Sequence, residues 1–94
     1  MNHLGNKIRE TRENQNLLLR QVAAYLKIDI ALLSKAERGG RNLSRVNVTR
    51  LAELFKIPQE DLLSLWLCDR VLRSVGDDPL AELGIKQALY QLKN

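Results

Sequence analysis

The sequence predicts a small all-α domain, and three observations carry that prediction. Apolar residues recur at three- and four-residue spacing through most of the chain, and nothing alternates with period two for long. Only Pro58 and Pro79 interrupt the 94 residues. At 45% hydrophobic and 28% charged, the composition is that of a folded chain, long enough for one core and too short for two.

The elements follow in order. A first helix fits about residues 3–15, with Leu4, Ile8 and Thr11 on one stripe. A second fits 19–26 through Val22, Ala23 and Leu26, and a third fits 30–37 through Leu33 and Ala36, with Asp29 in position to cap it. Arg38-Gly39-Gly40-Arg41-Asn42 reads as a loop, because paired glycines end helices. A fourth helix fits 45–56, with Val48, Leu51, Ala52 and Phe55 inward. The fifth, about 59–75, has a divided face. Its first half presents Leu62, Leu63, Trp66 and Leu67, whereas its second half presents Leu65, Cys68, Val71, Leu72 and Val75 on another side. Asp69, Arg70 and Arg73 share the first face, so the helix is expected to pack against two different things. Gly76 suits a C-cap, Asp78 an N-cap and Pro79 a first helical position. A last helix, about 79–93, carries Ala81, Ile85, Ala88, Leu89 and Leu92 on one stripe, expected to cover part of the second face of the fifth.

Several function classes are disfavoured at once. No apolar run reaches the ~18–20 residues of a membrane span, and MNHLGNKIRE lacks a signal-peptide core. Cys68 has no second cysteine to pair with, so a cytoplasmic home is the simplest expectation, with the thiol buried on its apolar stripe. One Cys and one His (His3) leave too few soft ligands for a structural zinc, so no metal or cofactor is expected. No glycine-rich phosphate loop, paired carboxylates or nucleophile–base arrangement emerges, which argues against an enzyme. Charge is divided along the chain. Residues 1–50 hold ten Lys/Arg against four Asp/Glu, and residues 51–94 hold five against seven. A basic first half points towards a polyanion and an acidic second half towards something else.

Two short helices and a tight turn over about residues 19–38 are the informative feature. A groove-reading helix-turn-helix needs a small residue where its helices meet and apolar residues that fix their angle. Ala23 is the small residue, and Val22, Leu26, Ile28 and Leu33 are the apolar ones. Here the sequence resembles the Cro/phage-repressor type of helix-turn-helix regulators, the xenobiotic-response-element group. The resemblance runs from Leu4-Gly5, Ile8-Arg9 and Arg12, through Leu17 and Val22-Ala23, to Ser34-Lys35-Ala36-Glu37-Arg38-Gly39. It continues through Leu51-Ala52, Phe55, Ile57 and Leu62-Leu63. It implies a five-helix repressor-like DNA-binding domain, placed at residues 1–75, and the apolar stripes beyond the resemblance make 76–94 an additional C-terminal helix expected to serve dimerisation. Three positions depart from the pattern: Lys27 stands where glycine is usual in the turn, Leu18 where a Ser or Thr cap is usual, and Thr11 where a leucine is usual.

The resemblance assigns roles residue by residue. Arg12 and Glu37 match an internal ion pair. Ile30, Ala31, Ser34 and Lys35 match base-reading positions, although the helical spacing of Ile30 fits a core residue equally well. Asp29 is better suited to capping than to accepting from a cytosine. Arg20 and Gln21 lie where a helix N-terminus favours phosphate. Arg38, Arg41, Asn42 and Arg45 crowd the following loop as phosphate contacts, with Arg45 an alternative minor-groove probe. Trp66, Tyr25 and Tyr90 fall among aliphatic neighbours and read as packing residues. The expected function is a DNA-binding regulator, a homodimeric repressor or controller on an inverted-repeat operator. Leu65, Cys68, Val71, Leu72, Val75, Ile85, Leu89 and Leu92 are the expected dimerisation residues. The short chain, without an appended ligand or protease domain, favours a controller or autorepressor. An antitoxin or protein-binding module that holds a partner protein with residues 60–94 is the alternative.

Overall fold

A computed structural model describes residues 2–94. It contains six helices: α1 (His3–Asn14), α2 (Leu19–Leu26), α3 (Ile30–Glu37), α4 (Arg45–Phe55), α5 (Gln59–Val75) and α6 (Ala81–Lys93). There is no strand among the described residues. Helices α1–α5 enclose one core of Leu4, Ile8, Val22, Ala23, Leu26, Leu33, Ala36, Leu43, Val48, Leu51, Ala52, Phe55 and Leu62. The inward stripes expected of the first four helices meet in it, except that Thr11 is only half-buried and stays outside the core.

Three of these helices end in the same way. Asn16, Lys27 and Lys56 each adopt φ 58°, a left-handed backbone that costs a side-chain-bearing residue about 1 kcal/mol. The amide that follows each left-handed residue reaches back to the last turn: Leu17 to Arg12 O, Ile28 to Ala23 O and Ile57 to Ala52 O, at 3.0–3.1 Å. Leu17, Ile28 and Ile57 then pack against the core, which is the apolar contact that accompanies such a stop. Burial of the following residue holds the left-handed turn without glycine. Residues 23–28 (Ala-Ala-Tyr-Leu-Lys-Ile) and 52–57 (Ala-Glu-Leu-Phe-Lys-Ile) are in effect one stop signal used twice.

Remaining carbonyls at helix ends are met by side chains from other helices. Asn2 Nδ2 donates to Glu37 O (2.7 Å), Gln15 Nε2 to Phe55 O (2.8 Å) and Arg50 to Tyr25 O (2.9 Å). At N-termini, Ser44 Oγ accepts from the Asn47 amide at 3.1 Å, and Glu60 and Asp61 sit favourably in the first turn of α5. Asp29 occupies the N-cap position of α3, but its side chain makes no capping hydrogen bond.

The divided face of α5 is resolved differently from expectation. Leu62 is fully buried, Leu63 and Trp66 are half-buried, and Leu67 is exposed. Asp69 lies on the core-facing side and is buried, because it serves α1. Its carboxylate accepts from the Leu4 amide (3.0 Å) and the His3 amide (3.3 Å), and lies 2.9 Å from His3 Nδ1. An acidic group placed there satisfies amides left open at a helix start and complements the helix dipole.

The C-terminal helix departs most from expectation. Its stripe does not cover the second face of α5, since α6 makes only marginal contact with the other helices. Gly76 is the C-cap of α5, with φ 57° and ψ −141°, a backbone that only glycine adopts readily. The Asp78 carboxylate accepts from Leu80 N at 2.8 Å, so it closes a turn before the helix, and α6 starts two residues later than Pro79 suggests. Leu89, Tyr90 and Leu92 are at least half exposed, so Tyr90 is no packing residue within this chain. Cys68 is exposed rather than buried. The projecting helix gives a Cα radius of gyration of 14.7 Å, against about 12 Å for a compact chain of this length.

Asp69 also gives the fold an acid-sensitive tie. Burial pushes its carboxyl up, but the Leu4 amide, the His3 ring and the His3 amide together outweigh burial and hold it below its ordinary value. A lowered folded-state value contributes stability that is complete above about pH 4, the unfolded carboxylate range, and fades as pH falls through the folded value. Urea midpoints measured at a series of pH values should therefore fall more steeply below about pH 4 in the native chain than in Asp69→Asn. Parallel curves would place the acid sensitivity elsewhere.

Candidate nucleic-acid interface

Helix α3 is held by its inner face. Leu33 and Ala36 enter the core, Leu32 packs at its edge and Glu37 is buried at its end. Arg12 of α1 grips Glu37 with both sides of a fork, Nε to Oε2 at 2.8 Å and a terminal nitrogen to Oε1 at 3.1 Å. A third donor of the same guanidinium reaches Leu17 O at 3.1 Å. Hydrogen bonding to Glu37 raises the Arg12 guanidinium above its already high ordinary value. Gly5 brings α1 against the same helix end. A Cβ there would lie 2.5 Å from Glu37 O and 2.6 Å from Ala36 O, closer than any side chain tolerates.

The opposite face of α3 is open. Ile30, Ala31 and Lys35 are exposed and Ser34 is half-buried, with Ile30 half accessible rather than sunk in the core. These four share one side of the helix, and Lys35 supplies its charge. The turn before α3 uses Lys27 in the left-handed conformation.

Cationic groups flank this face on both sides. At the start of α2, Leu18 has no side-chain acceptor, which leaves the Leu19 and Arg20 amides without an intrahelical partner. Gln21 Oε1 accepts from the Leu18 amide at 2.7 Å, so only the amide nitrogen end of Gln21 remains to contact an anion. Arg20 is exposed beside it. On the other side, Arg38 Nε folds back on Ser34 O at 3.3 Å, while Arg41, Asn42 and Arg45 are exposed. The Arg45 guanidinium lies over the Trp66 ring at 5.8 Å, and Arg70 lies over the same ring at 4.9 Å. Trp66 is anchored by its ring N–H, which donates to Leu43 O at 2.8 Å. Tyr25 likewise carries Arg50 at 5.3 Å. The aromatics expected to act as packing residues thus also seat arginines.

Four contributors escaped the sequence reading: Asn2, Gly5, Arg70 and Asp69. Asp69 had a visible signal, a carboxylate in register with Leu62 and Trp66 on the core-facing stripe, and Arg70 lies one turn from Trp66 on the same helix. The roles of Asn2 and Gly5 depend on approaches between segments far apart in sequence.

A short helix held on one face, preceded by a tight turn and a second short helix, defines a helix-turn-helix protein of the Cro/repressor-like kind. The chain belongs to that family, since the helix-turn-helix domain family matches residues 5–66. It is 34% identical over 65 residues to an uncharacterized HTH-type transcriptional regulator, RghRB, of Bacillus subtilis (strain 168), covering 68% of this chain and 47% of that protein. It is also 34% identical over 64 residues to the HTH-type transcriptional repressor RghR of the same organism, covering 67% and 47%. The chain spans about half the length of these relatives. No solved structure matches it significantly. No helix among the described residues is long and apolar enough to cross a membrane.

The approach of α1 to α3 yields a direct test. Gly5→Ala must push α1 away from two backbone oxygens that cannot rotate aside, at a cost of about 1–3 kcal/mol. The readout is the urea midpoint of the isolated chain. An unchanged midpoint would show that the helix end yields and does not fix α3.

Proposed function

We propose that this chain is a transcriptional regulator that reads duplex DNA with α3. The observation that carries the reading is the exposed face of Ile30, Ala31, Ser34 and Lys35 on a helix fixed from behind, with exposed basic residues on either side. A major groove about 12 Å wide admits such a helix. Lys35 is the centre of base reading, donating to guanine O6 and N7, while Ile30 and Ala31 suit thymine methyls and Ser34 either partner. Arg20, the open amides of α2, the Gln21 amide, Arg38, Arg41, Asn42 and Arg45 track phosphate on the two strands. The names of the relatives, regulator and repressor, favour repression by occupancy of promoter DNA.

The working unit is a homodimer on an inverted repeat. Val71, Leu72 and Val75 on α5, with Ile85, Leu89 and Leu92 on α6, form two apolar stripes that the chain leaves at least partly open, whereas Leu65 packs against the core and Cys68 is exposed to one side. A 13-residue helix is marginal in water without a surface to bury on. A second copy supplies that surface symmetrically and sets two recognition helices about 34 Å apart, one helical turn of DNA. A partner protein seated on the same stripes is the second reading, favoured by the exposure of α6.

Two measurements decide the matter. For about 6–10 phosphate contacts per dimer, the log–log dependence of affinity on salt should have a slope of about −5 to −9, and a flat dependence would end the nucleic-acid reading. On DNA selected from a random pool, Lys35→Ala should lose about 1–3 kcal/mol of discrimination at one base pair per half-site. Arg41→Ala should weaken selected and random DNA alike. Equal loss on all sequences for Lys35→Ala would make it a phosphate contact.

For assembly, Leu72→Asp should convert a sedimenting dimer to a monomer that keeps its helical core. A native chain that sediments as a monomer while binding operator normally would remove the homodimer and favour the partner-protein reading.

A further inference from the structure

The chain contains one histidine and one cysteine, 65 residues apart, and the fold brings them together. His3, Cys68 and Asp69 each present a ligand atom, and all three atoms lie within 4.8 Å of one another. His3 and Cys68 are exposed and Asp69 is buried, so the cluster has a fixed base and an open mouth. We propose that these three residues bind a borderline-soft divalent cation of the zinc class, with the remaining position open to water. The proposal is independent of DNA binding.

Ligand chemistry supports this class. One nitrogen, one sulfur and one carboxylate oxygen suit zinc, whereas calcium and magnesium call for oxygen ligands throughout. Three protein ligands and an open fourth position also make a recognised coordination pattern, distinct from the closed four-ligand structural site that one His and one Cys alone cannot build. Geometry is close for the nitrogen–oxygen pair, whereas the sulfur, within 4.8 Å of the other two atoms, has to draw in to about 3.6 Å by rotation of the exposed Cys68 side chain. Bonds of about 2.0–2.1 Å to nitrogen and oxygen at a tetrahedral angle call for about 3.3 Å between those two atoms. His3 Nδ1 and Asp69 Oδ1 lie 2.9 Å apart, so they need to part only slightly. His3 stands at the very start of α1, where a side chain moves readily, and Asp69 is held in place by the two amides it already accepts.

The donors remain chemically available. A carboxylate has about four lone-pair sites, and the two amide hydrogen bonds on Asp69 leave room for a metal once the His3 ring turns its nitrogen lone pair to the cation. His3 then carries its proton on Nε2. The Cys68 thiol releases its proton to solvent and binds as thiolate, and no oxidant or reductant is involved. The bound ion would clip the first turn of α1 to the middle of α5, where the second apolar stripe begins.

The test uses the whole untagged chain in its reduced form and Co²⁺ as the probe. One cobalt per chain should bind, with the near-ultraviolet charge-transfer absorption of a cobalt–thiolate bond and visible bands of tetrahedral intensity, and Zn²⁺ should displace it. Cys68→Ser should abolish the charge-transfer band. Cys68→Ser and His3→Gln should each weaken binding by at least about tenfold, since losing one of three ligands costs no less than losing an outer-shell partner. Both positions are exposed and outside the core, and circular dichroism checks that each variant is folded. Absence of a thiolate band in the native chain, or equal binding by native chain and both variants, would overturn the site and leave Asp69 as a helix cap only.

Discussion

The contact between α1 and the end of α3 is the constraint on which the rest of the molecule depends. Three separate devices meet there: the forked ion pair of Arg12 with Glu37, the bare backbone of Gly5, and the Asn2 amide on Glu37 O. A buried carboxylate is costly unless it is paired, and Glu37 is paired on both oxygens. The same arginine reaches Leu17 O, the residue that leads into α2. One guanidinium therefore fixes the segments before and after the helix-turn-helix. Helix α3 can leave its outer face unsupported because its inner face and its end are over-determined.

A second tier of contacts holds α5 to this frame. Asp69 caps α1, and Trp66 takes the carbonyl of Leu43 in the segment that connects α3 to α4. Both residues lie on the side of α5 that faces the core, so that side carries hydrogen bonds as well as apolar packing. The pattern accounts for the acidic and basic residues that interrupt an otherwise hydrophobic stripe. Beyond Asp69 the helix makes only marginal contact with α6 among the described residues, and Val71 on its second stripe is exposed.

Much of this was legible in the sequence because it is local. Spacing places all six helices, and the glycine pair after Arg38 and the apolar residues around Ala23 place the turn. The start of α4 matches to the residue, and its end lies one residue earlier than spacing suggests because Lys56 turns left-handed. The stop signal at residues 52–57 repeats that at 23–28, and only the dihedral angles reveal the equivalence, since lysine is no general marker of a left-handed turn. Long-range contacts were legible only through the resemblance, which supplied the partners Arg12 and Glu37. His3 and Cys68 were read singly, one at a chain end and one on an apolar stripe, and nothing in a one-dimensional pattern brings such positions together. The packing expected between α5 and α6 rested on matching two apolar stripes. Matching stripes specify that each needs a cover, and not that one covers the other.

Trp66 gives the molecule a property of a different kind. It is the only tryptophan in the chain, its ring lies near the guanidinium groups of both Arg45 and Arg70, and its ring nitrogen is tied to the loop before α4. Indole emission responds to the charge and water next to the ring. Any event that draws Arg45 away from the indole, or shifts the loop that carries Leu43, changes both. The protein thus contains its own optical reporter, seated where the basic loop meets the long helix, and no label is needed to follow that junction in solution.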